Sequence, residues 1–194
     1  MKSVAVYCGH QFGSEPAYAR DAAKLGKLLA KNKIKLVFGG GNVGLMGAVA
    51  NGAIKGKGEV IGVSTPQIMA KQEPAHKGVN VEIVSGITER KQRMFDLSDA
   101  FCILPGGVGT LDELTDIMTM QQVGESKKPI FFLNTKKYWS IFGRMLTHMQ
   151  GKGFIADMHD YKIYVVKKPA DLIDLILNYD NLVATGKTSD NFNF

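Results

Sequence analysis

The residues with chemical capacity gather at two glycine-rich turns. One is "FGGGNVGLMGA", Phe38 to Ala48, and the other is "CILPGGVGTLDEL", Cys102 to Leu114. Glycines let backbone approach a ligand closely, and a helix that starts behind them offers unpaired N–H donors with a partial positive charge. Each turn therefore has the form of an anion cradle, although glycines also serve plain strand-to-helix turns. The second turn adds chemistry. Thr110 sets a hydroxyl beside the donors, and Glu113 follows three residues later on the same helix face. Thr-x-x-Glu at a helix start is equally a capping box, with Glu113 folded back onto the Thr110 amide. Spacing alone leaves both readings open.

The identity of the anion is narrowed by what surrounds the glycines. Gly39, Gly41 and Gly44 match the dinucleotide pattern G-x-G-x-x-G. A nicotinamide site also wants an acid at the end of the following strand to hold the ribose hydroxyls. There the chain reads Ser64, Thr65, Pro66, and the glycines follow the second strand rather than the first. A nucleoside-triphosphate loop fails as well. No Lys-Ser/Thr pair follows Gly44, and the "GKT" at Gly186 has Asn181 where a leading glycine is required.

The other reactive side chains read as structural. Cys8 and Cys102 each lie in an apolar run, as core thiols of a reducing compartment do. His10 stands at a strand's carboxyl end, suited to a pocket wall. His76, His148 and His159 have no cysteine or second histidine at ligand spacing, so no metal is expected. Asp99 and Asp112 read as a strand-entry residue and a helix-dipole acid.

These groups need a scaffold, and the chain supplies a regular one. Apolar segments at Ser3–Cys8, Lys35–Phe38, Val60–Val63, Val81–Val84, Ala100–Leu104, Ile130–Leu133 and Ile163–Val166 read as strands covered on both faces. Helical periodicity fills the intervals at Pro16–Asn32, Val43–Lys55, Thr88–Leu97, Thr110–Val123, Trp139–Gln150 and Ala170–Tyr179. The alternation predicts an α/β chain with a Rossmann-like, doubly wound parallel sheet. In such a sheet, ligands bind outside the carboxyl ends of the strands, where both glycine turns fall.

With 194 residues, 45% hydrophobic and 22% charged, the chain fits one domain, taken as residues 1–181 with a polar tail over 182–194. The tail is expected to be loose or to dock only through Phe192 and Phe194. The longest apolar runs fall far short of the roughly 18 to 20 residues that cross a bilayer, and no signal-peptide core is seen. A cytoplasmic location follows as the expectation. The net charge of +6 is spread along the chain without a basic stripe or interleaved aromatics. Nucleic acid is therefore not an expected partner, whereas a small phosphate ester is compatible.

Taken together, "VAVYCGHQFGSEPAYA", "LVFGGGNVGLMGAVA", "ERKQRM" and "LPGGVGTLDEL" resemble the LONELY GUY (LOG) family of cytokinin-activating phosphoribohydrolases, some of which carry the older label lysine decarboxylase-like. The family signature P-G-G-x-G-T-x-x-E is met at every fixed position from Pro105 to Glu113. The resemblance implies hydrolysis of the N-glycosidic bond in adenine-type nucleoside 5'-monophosphates, without a cofactor, by a homodimer. It implies Arg90 and Glu113 as the catalytic pair, with Lys91 and Met94 completing the helix motif. It also implies that Gly106, Gly107, Gly109 and Thr110 hold phosphate, with Pro105 among the substrate-contact residues. Gly40, Gly41, Gly44 and Met46 of the first turn are further substrate-contact candidates, though methionines at helical spacing also build cores.

The chemistry suits these residue types. Breaking a ribosyl bond builds positive charge on the sugar, which a carboxylate such as Glu113 stabilises while orienting water. Arg90 is permanently cationic and suits anchoring or orienting rather than proton donation; a surface ion pair with Glu89 or a neighbouring acid is the bland alternative. The chain departs from the family pattern at Gly9-His10-Gln11, Ile87-Thr88 and Gly62 to Pro66, which puts the base preference in question. Two rivals stand beside the hydrolase: a non-catalytic nucleotide or cofactor carrier, and a decarboxylase needing a lysine-bound cofactor.

Overall fold

Every residue of the first strand, β1 (Ser3–Tyr7), is buried, as a central strand covered on both faces requires. The computed structural model describes residues 1–71, 79–185 and 194. Among the described residues, six further strands complete one all-parallel sheet with β1: β2 (Lys35–Phe38), β3 (Val60–Ser64), β4 (Asn80–Ile83), β5 (Ala100–Ile103), β6 (Ile130–Leu133) and β7 (Ile163–Val166). Their order is β4-β3-β2-β1-β5-β6-β7. Val4 therefore faces Leu36 of β2 on one side and Ala100 of β5 on the other. The winding reverses between β1 and β5, and that reversal opens a crevice at the carboxyl edge.

Among the described residues, seven α-helices flank the sheet: α1 (Pro16–Lys31), α2 (Gly44–Lys55), α3 (Pro66–Met69), α4 (Ile87–Asp96), α5 (Val108–Gln122), α6 (Ser140–Gly151) and α7 (Pro169–Ala184). Alternate residues of each strand point to opposite faces. Val4, Val6, Leu36 and Phe38 join α1, α2 and α7 in one core layer. Ala5, Tyr7, Phe101 and Ile103 join α4, α5 and α6 in the other. The predicted doubly wound single domain is the fold observed.

Differences from the sequence reading lie at element ends. α3 was not anticipated, yet it carries a local signature: the Thr65 side chain caps the Ile68 amide at 3.3 Å and Pro66 occupies the first helical position. α7 runs to Ala184, into the stretch read as tail. Phe194 packs against Phe132, ring centroids 4.8 Å apart, as a docked tail end requires. Phe192, His76 and the "GKT" segment lie outside the described residues.

Candidate active site

Three loops meet at the crevice. The Gly9 amide donates to the Pro105 carbonyl at 2.9 Å, joining the segments that leave β1 and β5. The Gly9 carbonyl in turn accepts from the amides of Leu45 (3.0 Å) and Met46 (3.4 Å), the first turn of α2. Gly44 makes this contact possible. Its φ is +60°, and a Cβ there would lie 2.2 Å from the His10 carbonyl carbon.

Above these loops lies a cavity of about 530 Å³, within the range of small-molecule sites. Of the catalytic and substrate-contact candidates, it is lined by Met46, Arg90, Pro105, Gly106, Gly107, Gly109, Thr110 and Glu113, with Gly39 and Asp112 beside them. Gly40, Gly41 and Gly44 do not line it. Two first-turn amides of α2 are already bonded to Gly9, so the first glycine turn builds the floor instead of offering a free cradle. Met94 is fully buried in the core, and Lys91 faces outward, bonded to Asp112 at 3.1 Å and Asp116 at 2.6 Å.

The second turn keeps its donors. α5 begins at Val108 with Gly107 as the residue before it, and no side chain caps that end. Thr110 is thus the third helical residue and not the cap, and the capping-box alternative for Glu113 falls away. Thr110 is buried beneath the turn, where a Cβ on Gly106 would lie 2.1 Å from its hydroxyl oxygen. The first-turn amides, without intrahelical partners, are aligned at the cavity wall.

Arg90 enters from α4 and is held from three sides. Its Nε donates to the Val63 carbonyl at the end of β3 (2.9 Å), and its Nη1 donates to Glu113 Oε1 (2.8 Å). Its Nη2 occupies the space that a side chain on Gly39 would fill, 2.3 Å from an ideal Cβ. The side chains of Arg90 and Glu113 are 8% and 11% exposed, so this is a sheltered pair. The alternative of a surface pair does not hold, since Arg90 is buried and Glu89 instead accepts from the Ser85 amide at 2.9 Å. Burial pushes the Glu113 carboxyl above its ordinary range, and the Arg90 guanidinium pulls against that rise.

The remaining wall mixes polar and aromatic groups. His10, Gln11, Phe12 and Tyr18 come from the segment after β1, Ile68 from α3, Ile87 from α4, and Tyr138 from the loop after β6. Cys8 also reaches the cavity. Burial drives its thiol far up, as it does for Cys102, so both stay protonated and unreactive. Tyr138 escaped the sequence reading because nothing near it in the chain marks it; its partner lies 32 residues away.

The strand reversal, the helix N-terminus and the sheltered Arg–Glu pair mark a Rossmann-like α/β domain with a carboxylate on the wall of its crevice. The chain belongs to the family described as "Possible lysine decarboxylase", which matches residues 46–176. Its curated relatives bear another name. The cytokinin riboside 5'-monophosphate phosphoribohydrolase of Rhodococcoides fascians is 37% identical over 167 residues, covering 86% of this chain and 84% of that protein. The enzyme of the same name, LOG, from Oryza sativa subsp. japonica is 36% identical, covering 94% of this chain and 74% of that one. Among solved structures, the molybdenum cofactor binding protein of Rippkaea orientalis superposes with a TM-score of 0.67 at 24% identity, covering 92% and 96% of the two chains. The molybdenum cofactor carrier protein of Chlamydomonas reinhardtii gives 0.67 at 18%, covering 94% and 98%. At those identities the likeness is one of fold.

Proposed function

We propose that the protein hydrolyses the N-glycosidic bond of adenine-type nucleoside 5'-monophosphates, releasing the free base and ribose 5-phosphate. The observation that carries this reading is the Glu113 carboxylate, held by Arg90 at 2.8 Å on the wall of a cavity that also receives the α5 N-terminus. Glu113 lies five positions after Val108, a rise of about 7 to 8 Å along the helix from the first free amides. A ribose 5-phosphate bridges such a distance with its phosphate on the amides and its anomeric carbon toward the carboxylate.

In this arrangement each group has one task. The amides of Val108, Gly109 and Thr110 bind the phosphate. Glu113 stabilises the positive charge that develops on the ribose and takes a proton from the attacking water. The C1'–N9 bond breaks with its electron pair leaving on the base, water oxygen bonds to C1', and the proton taken from water balances the one gained by the base. Arg90 has its Nε and Nη1 committed, so it fixes the direction of Glu113 and favours its ionised form against the effect of burial.

The family's descriptive label points elsewhere, to decarboxylation. That chemistry requires a lysine to hold a carbonyl cofactor, and no lysine lines the cavity among the described residues. The carrier reading predicts binding without turnover. Incubation of the purified protein with AMP and with N6-isopentenyl-AMP, followed by separation of products, decides between them. Release of base and ribose 5-phosphate in equal amounts is expected; tight binding with no release would overturn the hydrolase.

The reading extends to a cytoplasmic homodimer. Ile141, Met145 and Met149 recur at one-turn spacing on α6 and are 70%, 43% and 37% exposed, an apolar stripe suited to a second copy. The buried, unpaired thiols of Cys8 and Cys102 suit a reducing compartment. Sedimentation velocity tests the dimer, and fractionation tests the location.

A further inference from the structure

We infer that Tyr138 is a positioning residue for the phosphate end of the substrate, acting through the Gly106 carbonyl. The inference rests on the hydrolase reading above but is testable apart from it. The Tyr138 hydroxyl donates to the Gly106 oxygen at 2.6 Å. Gly106 and Gly107 carry no Cβ, and a side chain on Gly107 would meet nothing within 4 Å, so packing at Gly107 does little to hold that peptide plane. The hydrogen bond restrains that plane directly, beside the packing of Gly106 on Thr110. Because the peptide is planar, fixing the carbonyl also fixes the Gly107 amide and the angle at which the chain enters α5.

The loop that carries Tyr138 is built to hold it there. Lys136 and Lys137 both adopt left-handed backbone, with φ of +56° and +59°, a conformation unfavourable for residues with a Cβ. Two such residues in succession persist only where their flanks over-determine them. The flanks do so here. On one side the Thr135 hydroxyl donates to Asp21 Oδ2 of α1 at 2.9 Å, with both side chains buried. On the other, Asn134 Oδ1 accepts from the Trp139 amide at 2.9 Å, closing the loop across the strained pair. The Tyr138 ring then meets Tyr18 of α1 edge to face, centroids 5.7 Å apart. α1 thus grips the loop through Tyr18 and Asp21, three residues apart on one helix face.

The test is Tyr138→Phe, which keeps the ring and its aromatic contacts and removes only the hydroxyl. The KM for AMP is expected to rise about five- to tenfold while kcat stays within about twofold, the size of one lost hydrogen bond acting on binding alone. Inhibition by ribose 5-phosphate should weaken in parallel, and inhibition by adenine should not change. A KM unchanged within twofold overturns the inference, as does equal weakening of adenine and ribose 5-phosphate, which would indicate general damage to the cavity. If the variant does not fold, Thr135→Val, which keeps the Tyr138 hydroxyl but cuts the tie to Asp21 that holds its loop, is judged by the same measurements. Should the wild type show no turnover, the hydrolase reading fails first. Calorimetric titration of ribose 5-phosphate into wild type and variant then decides the positioning role by itself.

Discussion

Arg90 and Glu113, 23 residues apart on separate helices, meet through a 2.8 Å contact between Nη1 and Oε1 with both side chains nearly closed off from solvent. A sheltered ion pair contributes little net stability, because the desolvation of both charges offsets their attraction. Breaking it is another matter, since the surviving charge is left without a partner. Arg90→Ala is expected to lower stability by about 3 kcal/mol and to abolish turnover. Chemical denaturation checks the first part, and a midpoint unchanged from wild type would contradict it.

Glu113→Gln separates charge from shape. The amide oxygen still accepts from Arg90, but it neither stabilises a cationic ribose nor takes a proton from water. We expect kcat to drop by about a hundredfold or more with KM within about threefold. Activity within tenfold of wild type would move the chemistry to another residue.

The same carboxylate sets a pH dependence. Burial raises its titration point above that of an ordinary glutamate, against the pull of Arg90. Protonation on the acid side removes the base, so kcat/KM should fall below a pH higher than an exposed glutamate would give. For stability the sign is opposite. The folded form holds this proton more tightly than the unfolded form, so the group favours folding at low pH and loses that contribution as pH rises through its folded value. Comparing wild type with Glu113→Gln across pH by thermal unfolding isolates the effect. A difference growing in favour of wild type toward high pH would contradict it.

Two glycines of the site should answer alanine in different ways. A Cβ on Gly39 falls 2.3 Å from Arg90 Nη2, so Gly39→Ala displaces the guanidinium and is expected to cost about tenfold or more in kcat. Gly109 stands in the first turn of α5 with nothing within 4 Å of a Cβ, and it lines the cavity. Gly109→Ala should therefore stabilise the fold by about 0.5 kcal/mol while raising KM severalfold. Loss of stability in Gly109→Ala would sink that half of the contrast.

Lys91 supplies a negative control inside the helix motif. It spans Asp112 and Asp116 on the surface of α5 and does not reach the cavity. Lys91→Gln should leave KM and kcat within about twofold. Because the pairs are partly exposed and screened, stability should change by about 0.5 kcal/mol. A tenfold rise in KM would show that Lys91 turns inward to meet the substrate.

Much of this was written locally in the chain. Continuous Val, Ile and Phe segments mark the strands because a doubly covered sheet needs both faces apolar, and all seven appear within a residue or so of their expected ends. Glu113 and Arg90 were legible as residue types in motifs. Their contact was not, since nothing between them states that α4 and α5 converge. The two glycine turns looked alike for the same reason. Only the fold shows that the Gly9 carbonyl takes up the amides of Leu45 and Met46, leaving the α5 N-terminus as the open one. α5 starts at Val108, two residues before the Thr110 start expected from helical periodicity. Tyr138 shows this limit most plainly, because its role is defined by a carbonyl 32 residues earlier.

The direction of β1 has a practical side. It starts at Ser3 on the amino edge of the sheet, and all the chemistry collects at the opposite edge. Five extended residues measure about 17 Å, so a polypeptide joined ahead of Met1 emerges on the far side of the molecule. Affinity handles, fluorescent partners or attachment to a bead at that end leave substrate entry unobstructed.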